Sequence, residues 1–108
     1  MKMRALIVLA FLLFTPTSLG KVEKADITVL QVNSQWNKEH NIDLNGLVGC
    51  EVQFAWLEEQ SDDFKKQVQT VPIIVVYHKN RPVRQWSADL SFKLDIDINE
   101  IQSVVDRL

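Results

Sequence analysis

Apolar and polar positions divide the chain into blocks with different periods. "ADITVLQVNSQW" places Ile27, Val29, Leu30 and Val32 in a run of strand length, which predicts a strand over Ile27–Asn33. From Asn33 to Asn41 the chain is polar. The following "NIDLNGLVG" holds Asn45-Gly46 and a second glycine, so any helix here is short. In "CEVQFAWLEEQ", Val52, Phe54 and Trp56 alternate with Gln53 and Ala55, the period of a strand with one well-buried face. Ser61 is a good N-cap, and Asp62 and Asp63 put acid in a first helical turn. With Phe64 and Val68 four apart on one face, this predicts a helix over Asp62–Gln69. "VPIIVVYHK" reads as a strand over Ile73–Tyr77, buried on both faces and central. A turn at Lys79–Arg81 and a strand over Pro82–Trp86 complete an antiparallel hairpin. "SADLSFKLDID" is either a loop or a short extra strand. At the end, Asp97 and Glu100 have capping-box spacing, and Ile98, Ile101, Val104, Val105 and Leu108 mark one helical face.

This order predicts an α/β fold, a mixed sheet of about four strands with two to three helices. Strands joined through a helix are expected to be parallel neighbours with a right-handed crossover. The hairpin adds an antiparallel edge, and the last helix packs back on one face.

The first twenty residues have a different character. "MKMR" is basic, "ALIVLAFLLF" is unbroken and apolar, and "TPTSLG" sets Ser18 and Gly20 at the −3 and −1 positions of a cleavage site. That is the layout of a secretory signal peptide over residues 1–20, followed by one small domain over 21–108. The apolar run is well short of the roughly 20 residues a spanning helix needs. No cysteine stands at its end, so the lipid-attachment residue of a lipoprotein is missing. The expectation is a periplasmic or secreted domain with no stable membrane anchor after cleavage.

Charge and cysteine content narrow the function. A formal net charge of −2 disfavours nucleic acid, whose binding rests on phosphate neutralisation. Cys50 is the single cysteine, so no disulfide forms within the chain. A lone cysteine in an oxidising compartment is buried and inert, paired with another chain, or reactive. His40 and His78 lie in different segments without a supporting cysteine. They make no metal site, and no cofactor is expected.

Taken together, the order of elements and "TVPIIVVYHKNRPVRQW" resemble the thioredoxin superfamily, whose domains are three-layer sandwiches. The specific part is Val71-Pro72 opening a buried strand, then a Lys-Asn turn and a second strand. Ile73 stands where threonine is common, and Arg81 where glycine is common. The strand leading to Trp36 resembles the family strand that runs into a Trp-Cys-Gly-Pro-Cys site. The resemblance covers most of residues 21–108 but lacks the family's first strand and helix. Its long redox helix must be trimmed or replaced.

The resemblance implies a cis proline at Pro72, with the residue before it offering its backbone to an extended peptide. That is recognition by strand addition. Matching Trp36 to the family tryptophan puts Asn37 and His40 at the two cysteine positions. Neither supports dithiol–disulfide exchange, which needs a thiolate and a resolving thiol. The implied protein is a redox-inactive protein- or peptide-binding module, using Trp36, Asn37, His40, Val71 and Pro72. Two alternatives stay open: a single-cysteine thiol enzyme or redox-active thioredoxin-family protein using Cys50, with or without His40, and a structural subunit of an envelope or exported assembly. The simplest reading of Trp36 and Trp86 puts both in the core, and that of Val71-Pro72 is a strand start.

Overall fold

The computed structural model describes residues 26–108. The signal-peptide expectation for residues 1–20 lies outside them. Four strands form one sheet in the order β2-β1-β3-β4, with β1 over Ile27–Asn33, β2 over Glu51–Trp56, β3 over Ile73–His78 and β4 over Arg81–Ser87. Helix α1 (Asp62–Gln67) lies between β2 and β3, and helix α2 (Ile98–Asp106) follows β4. Two 3-10 segments, Gln35–His40 and Leu57–Glu59, complete the regular structure.

β1 runs parallel to β2 and antiparallel to β3, and β4 pairs antiparallel with β3. This corrects one expectation. β3 is joined to β2 through α1, yet it is not β2's parallel neighbour. The chain passes over β1 and enters on its far side in the opposite direction. The hairpin turn is a two-residue reversal in which Lys79 and Asn80 both have positive φ, 56° and 66°. That conformation matches the twist of the flanking strands.

The sheet divides the core into two layers. On one face Leu30, Val32, Ala55, Ile73, Val75 and Tyr77 pack with Phe64 of α1. On the other, Val29, Ile74 and Val76 pack against Leu44, Leu47 and the Ile101, Val104 and Val105 stripe of α2. α1 is two residues shorter than predicted, and Val68 is its C-cap. Its start is as expected, with the Ser61 hydroxyl accepting from Phe64 N–H at 3.2 Å. Asp97 caps α2 by accepting from Asn99 N–H at 2.9 Å. Glu100 does not complete a capping box. Its carboxylate accepts instead from Trp86 Nε1 at 3.2 Å and pairs with Arg84. Leu108 lies beyond α2 and is exposed, so the apolar face ends at Val105.

β2 departs most from its pattern. Val52 and Phe54 are 43% and 39% exposed, whereas Ala55 is buried. Among the described residues β2 has β1 as its only strand neighbour. The predicted well-buried face is therefore a half-open sheet edge.

Between the first 3-10 segment and β2 the chain is irregular, and two glutamines hold it in place. Gln31 on β1 exchanges both bonds with Ile42, accepting from its N–H at 2.8 Å and donating to its carbonyl at 2.9 Å. Gln102 on α2 does the same with Val48, at 3.0 Å each way. These primary amides supply the donor and acceptor that a helix or strand partner would supply. Leu44 and Leu47 are thereby seated on the core without a long helix.

Candidate functional site

At the C-terminal end of β1 the chain enters the 3-10 segment Gln35–His40. Ser34 gives no side-chain cap. The Glu58 carboxylate fills that place, accepting from Gln35 N–H at 3.1 and 3.2 Å. The segment kinks at Asn37, whose φ and ψ are −112° and 16°. The kink turns Asn37 inward until it is only 5% exposed.

Asn37 Nδ2 lies 3.0 Å from Asn33 Oδ1, 3.2 Å from the Val71 carbonyl and 3.1 Å from the Phe92 carbonyl. Its two N–H bonds serve three acceptors, so one is shared. Reversing the amide would face an oxygen against three oxygens, which fixes its orientation. Asn33 returns the contact by donating Nδ2 to the Asn37 backbone carbonyl at 3.0 Å and to Asn41 Oδ1. His40 Nδ1 is 3.0 Å from both Asn37 Oδ1 and the Phe92 carbonyl. Both are acceptors, so Nδ1 carries a proton.

The network joins three parts of the chain: the end of β1, the Val71-Pro72 step before β3, and the loop between β4 and α2. The Val71–Pro72 bond is cis. Both residues are buried, and the Val71 carbonyl is engaged by Asn37. The ambiguous segment after β4 is a loop that crosses this step. Ala88 N–H donates to the Pro72 carbonyl at 3.1 Å, and Phe92 has a φ of 61°.

Trp36 stands beside the network, not within the core as the simplest reading has it. It is 65% exposed and meets Phe92 edge-to-face, with ring centroids 5.0 Å apart. Its position on the outer side of the 3-10 turn follows from Asn37 taking the inner one. His40 also lines an open cleft of about 500 Å³ with Asp89, Ser91, Lys93, Leu94 and Asp95. Ser91's hydroxyl and N–H hold the Asp89 carboxyl below its ordinary range.

Thus the structure brings Trp36, Asn37, His40, Val71 and Pro72 into one neighbourhood. Three of them, Asn37, Val71 and Pro72, are covered. Asn33, Asn41 and Phe92 belong to the same network and were not among the residues singled out by sequence. For the asparagines a signal exists: Asn33, Asn37 and Asn41 repeat every fourth position. For Phe92's part in the hydrogen bonds there is none, since it contributes a backbone carbonyl to them.

Cys50 lies elsewhere, just before β2, packed against the core layer that includes α2. Burial pushes its thiol above the ordinary range. A smaller thiolate fraction means slower nucleophilic attack. The native protein is therefore expected to react with an aromatic disulfide reagent more slowly than a free cysteine at the same pH. Denaturant should abolish the difference. Release of thiolate-coloured product at equal rates, native and unfolded, would show that Cys50 is open. Among the described residues no cluster of three metal-ligating side chains occurs.

No protein-family model matches the chain, and no curated protein does. The fold is similar to that of solved structures. One is a mutant thioredoxin from Halobacterium salinarum NRC-1, with a TM-score of 0.59 and 12% sequence identity. The match covers 80% of this chain and 78% of that one. At that identity the likeness speaks for the fold. The four-stranded mixed sheet and the helices on its two faces give this chain, with its single cysteine, a thioredoxin-like fold.

Proposed function

We propose that the protein is an exported thioredoxin-like domain that binds a protein or peptide partner and does not carry out dithiol–disulfide exchange. One observation carries this reading. Asn37, at the position the resemblance assigns to the first thiol, spends its amide on the chain's own carbonyls at Val71 and Phe92. A primary amide fixed in this way has no electrons to exchange, and the half-buried Cys50 is seated in a different part of the core.

Binding is assigned to the exposed rim of the site. Trp36 offers a large, stiff aromatic face, the commonest kind of anchor at interfaces. The cleft bordered by His40, Asp89, Ser91 and Lys93 shares His40 with the network and supplies hydrogen-bonding groups and charges of both signs. Export rests on the leader-like residues 1–20. A structural subunit of an exported assembly is the second reading, favoured by the half-exposed Val52 and Phe54 on the sheet edge.

Selection of displayed random peptides against the immobilised protein tests the binding role. Peptides are expected to emerge whose affinity falls about tenfold or more in Trp36→Ala, the loss of a hot-spot aromatic. Enriched peptides indifferent to Trp36→Ala would move the site elsewhere.

A further inference from the structure

The segment Asp89–Lys93 stands over the network like a bound peptide. Its attachments concentrate on one residue. The Phe92 carbonyl takes hydrogen bonds from Asn37 Nδ2 and His40 Nδ1, and the Phe92 ring rests edge-to-face on Trp36. Its other hydrogen bonds, among the described residues, are internal. Ser91 N–H and Oγ donate to the Asp89 carboxylate, and Phe92 N–H donates to the Asp89 carbonyl at 3.0 Å. Leu90 is 81% exposed, an apolar side chain with no seat.

On either side of this segment the chain is fixed. Ala88 is held by Pro72 and Thr70, the latter donating its hydroxyl to the Ala88 carbonyl at 2.6 Å. Leu94 and Ile96 pack on the α2 layer of the core. The span between these anchors has no regular structure, and Phe92 has a φ of 61°, uncommon for a bulky side chain. A strained residue persists only while its surroundings hold it.

We propose that Asp89–Lys93 is a displaceable strap, an internal ligand occupying the site. The partner is then an extended peptide that brings an aromatic side chain to Trp36 and that residue's backbone carbonyl to Asn37 and His40. Two donors already converge on one carbonyl position, so the incoming backbone inherits a formed site. Displacing the strap also relieves Phe92 of its left-handed conformation. This rests on the reading of Trp36 and its surroundings as the partner-binding face.

The test has two arms on the full protein. In the first, hydrogen exchange of the wild type is followed by residue. Strap amides from Leu90 to Lys93 are expected to exchange through a local opening, at least about tenfold faster than those of β1 and β3. In the second, the probe is the octapeptide Ala-Asp-Leu-Ser-Phe-Lys-Leu-Asp, the sequence of residues 88–95. Phe92→Ala weakens the internal competitor and is expected to bind this probe about tenfold more tightly than the wild type does. Replacing the probe's phenylalanine by alanine should remove the gain. Exchange of the strap only on global unfolding would overturn the proposal, as would equal probe binding by both proteins. Those results leave the Trp36-dependent peptide test standing, whereas disulfide-reducing turnover would end the non-redox reading and leave the strap in place.

Discussion

Replacing Asn37 with alanine is expected to lower the stability of the domain by about 2–4 kcal/mol, as far as one side-chain amide can. The amide serves Asn33 Oδ1 and the carbonyls of Val71 and Phe92, while its own oxygen accepts from His40. Alanine supplies none of these bonds, and buried groups left without partners cost about 1–3 kcal/mol each. For a domain of this size the melting temperature should fall by about 10–25 °C.

Asn37→Asp keeps the shape and reverses the chemistry. A carboxylate would face three oxygens where the amide donates, so its folded-state pKa is raised above the unfolded value of about 3.9. A group raised in this way contributes stability below the unfolded value and loses it as pH rises through the folded one. Asn37→Asp should therefore be less stable than Asn37→Ala at neutral pH and gain on acidification. Thermal denaturation across pH measures both. A flat profile with stability equal to alanine's would show that Asn37 does not donate into the network.

Phe64→Ala is the second large effect. Phe64 is the buried residue of α1 and packs among Leu30, Val32, Ala55, Ile73, Val75 and Tyr77. Six residues are too few to form a stable helix in water, so α1 is held by this side chain and the Ser61 cap. Truncating a buried phenylalanine costs about 3–5 kcal/mol, against a total stability of about 5–15 kcal/mol for ordinary domains. The urea midpoint should fall toward the onset of unfolding in buffer. Phe64→Leu should recover most of the loss, since volume-conserving swaps usually cost less than about 1.5 kcal/mol. A small shift for Phe64→Ala would mean that α1 is not anchored through this ring.

Those two residues also show what sequence can and cannot reveal. Ser61, Phe64 and Val68 announce a helix through local rules, a cap and an apolar pair four apart, and the helix is there with its end trimmed. Ile73–Tyr77 likewise identifies itself by unbroken apolar character, because a central strand is buried on both faces. β2 shows the alternation of a strand with one buried face yet lies at the sheet edge. Alternation reports which residues share a face, and strand order decides how well that face is covered. The direction of β3 escaped for a related reason. A connecting helix constrains the reach of the chain, not the side of β1 on which it returns.

Trp36, Asn37, His40, Val71 and Pro72, named through the resemblance, do share one neighbourhood, and Asn37 and His40 stand in it as hydrogen-bonding groups. What they do there was not legible. It depends on a carbonyl contributed by Phe92, 55 residues from Asn37 along the chain. A backbone acceptor leaves no mark on amino-acid type. The two glutamine clamps are equally hidden, since Gln31 and Gln102 look like ordinary polar positions until Ile42 and Val48 are placed beside them.

At the end of β1 this fold carries the hydrogen-bonded amide of Asn37 and no cysteine pair. Reduction of insulin disulfides in the presence of dithiothreitol tests the non-redox reading most directly. The wild type and Cys50→Ser are both expected to leave the onset of precipitation where dithiothreitol alone sets it. Acceleration by the wild type that disappears in Cys50→Ser would instead make Cys50 a catalytic thiol and contradict a binding role without dithiol–disulfide exchange.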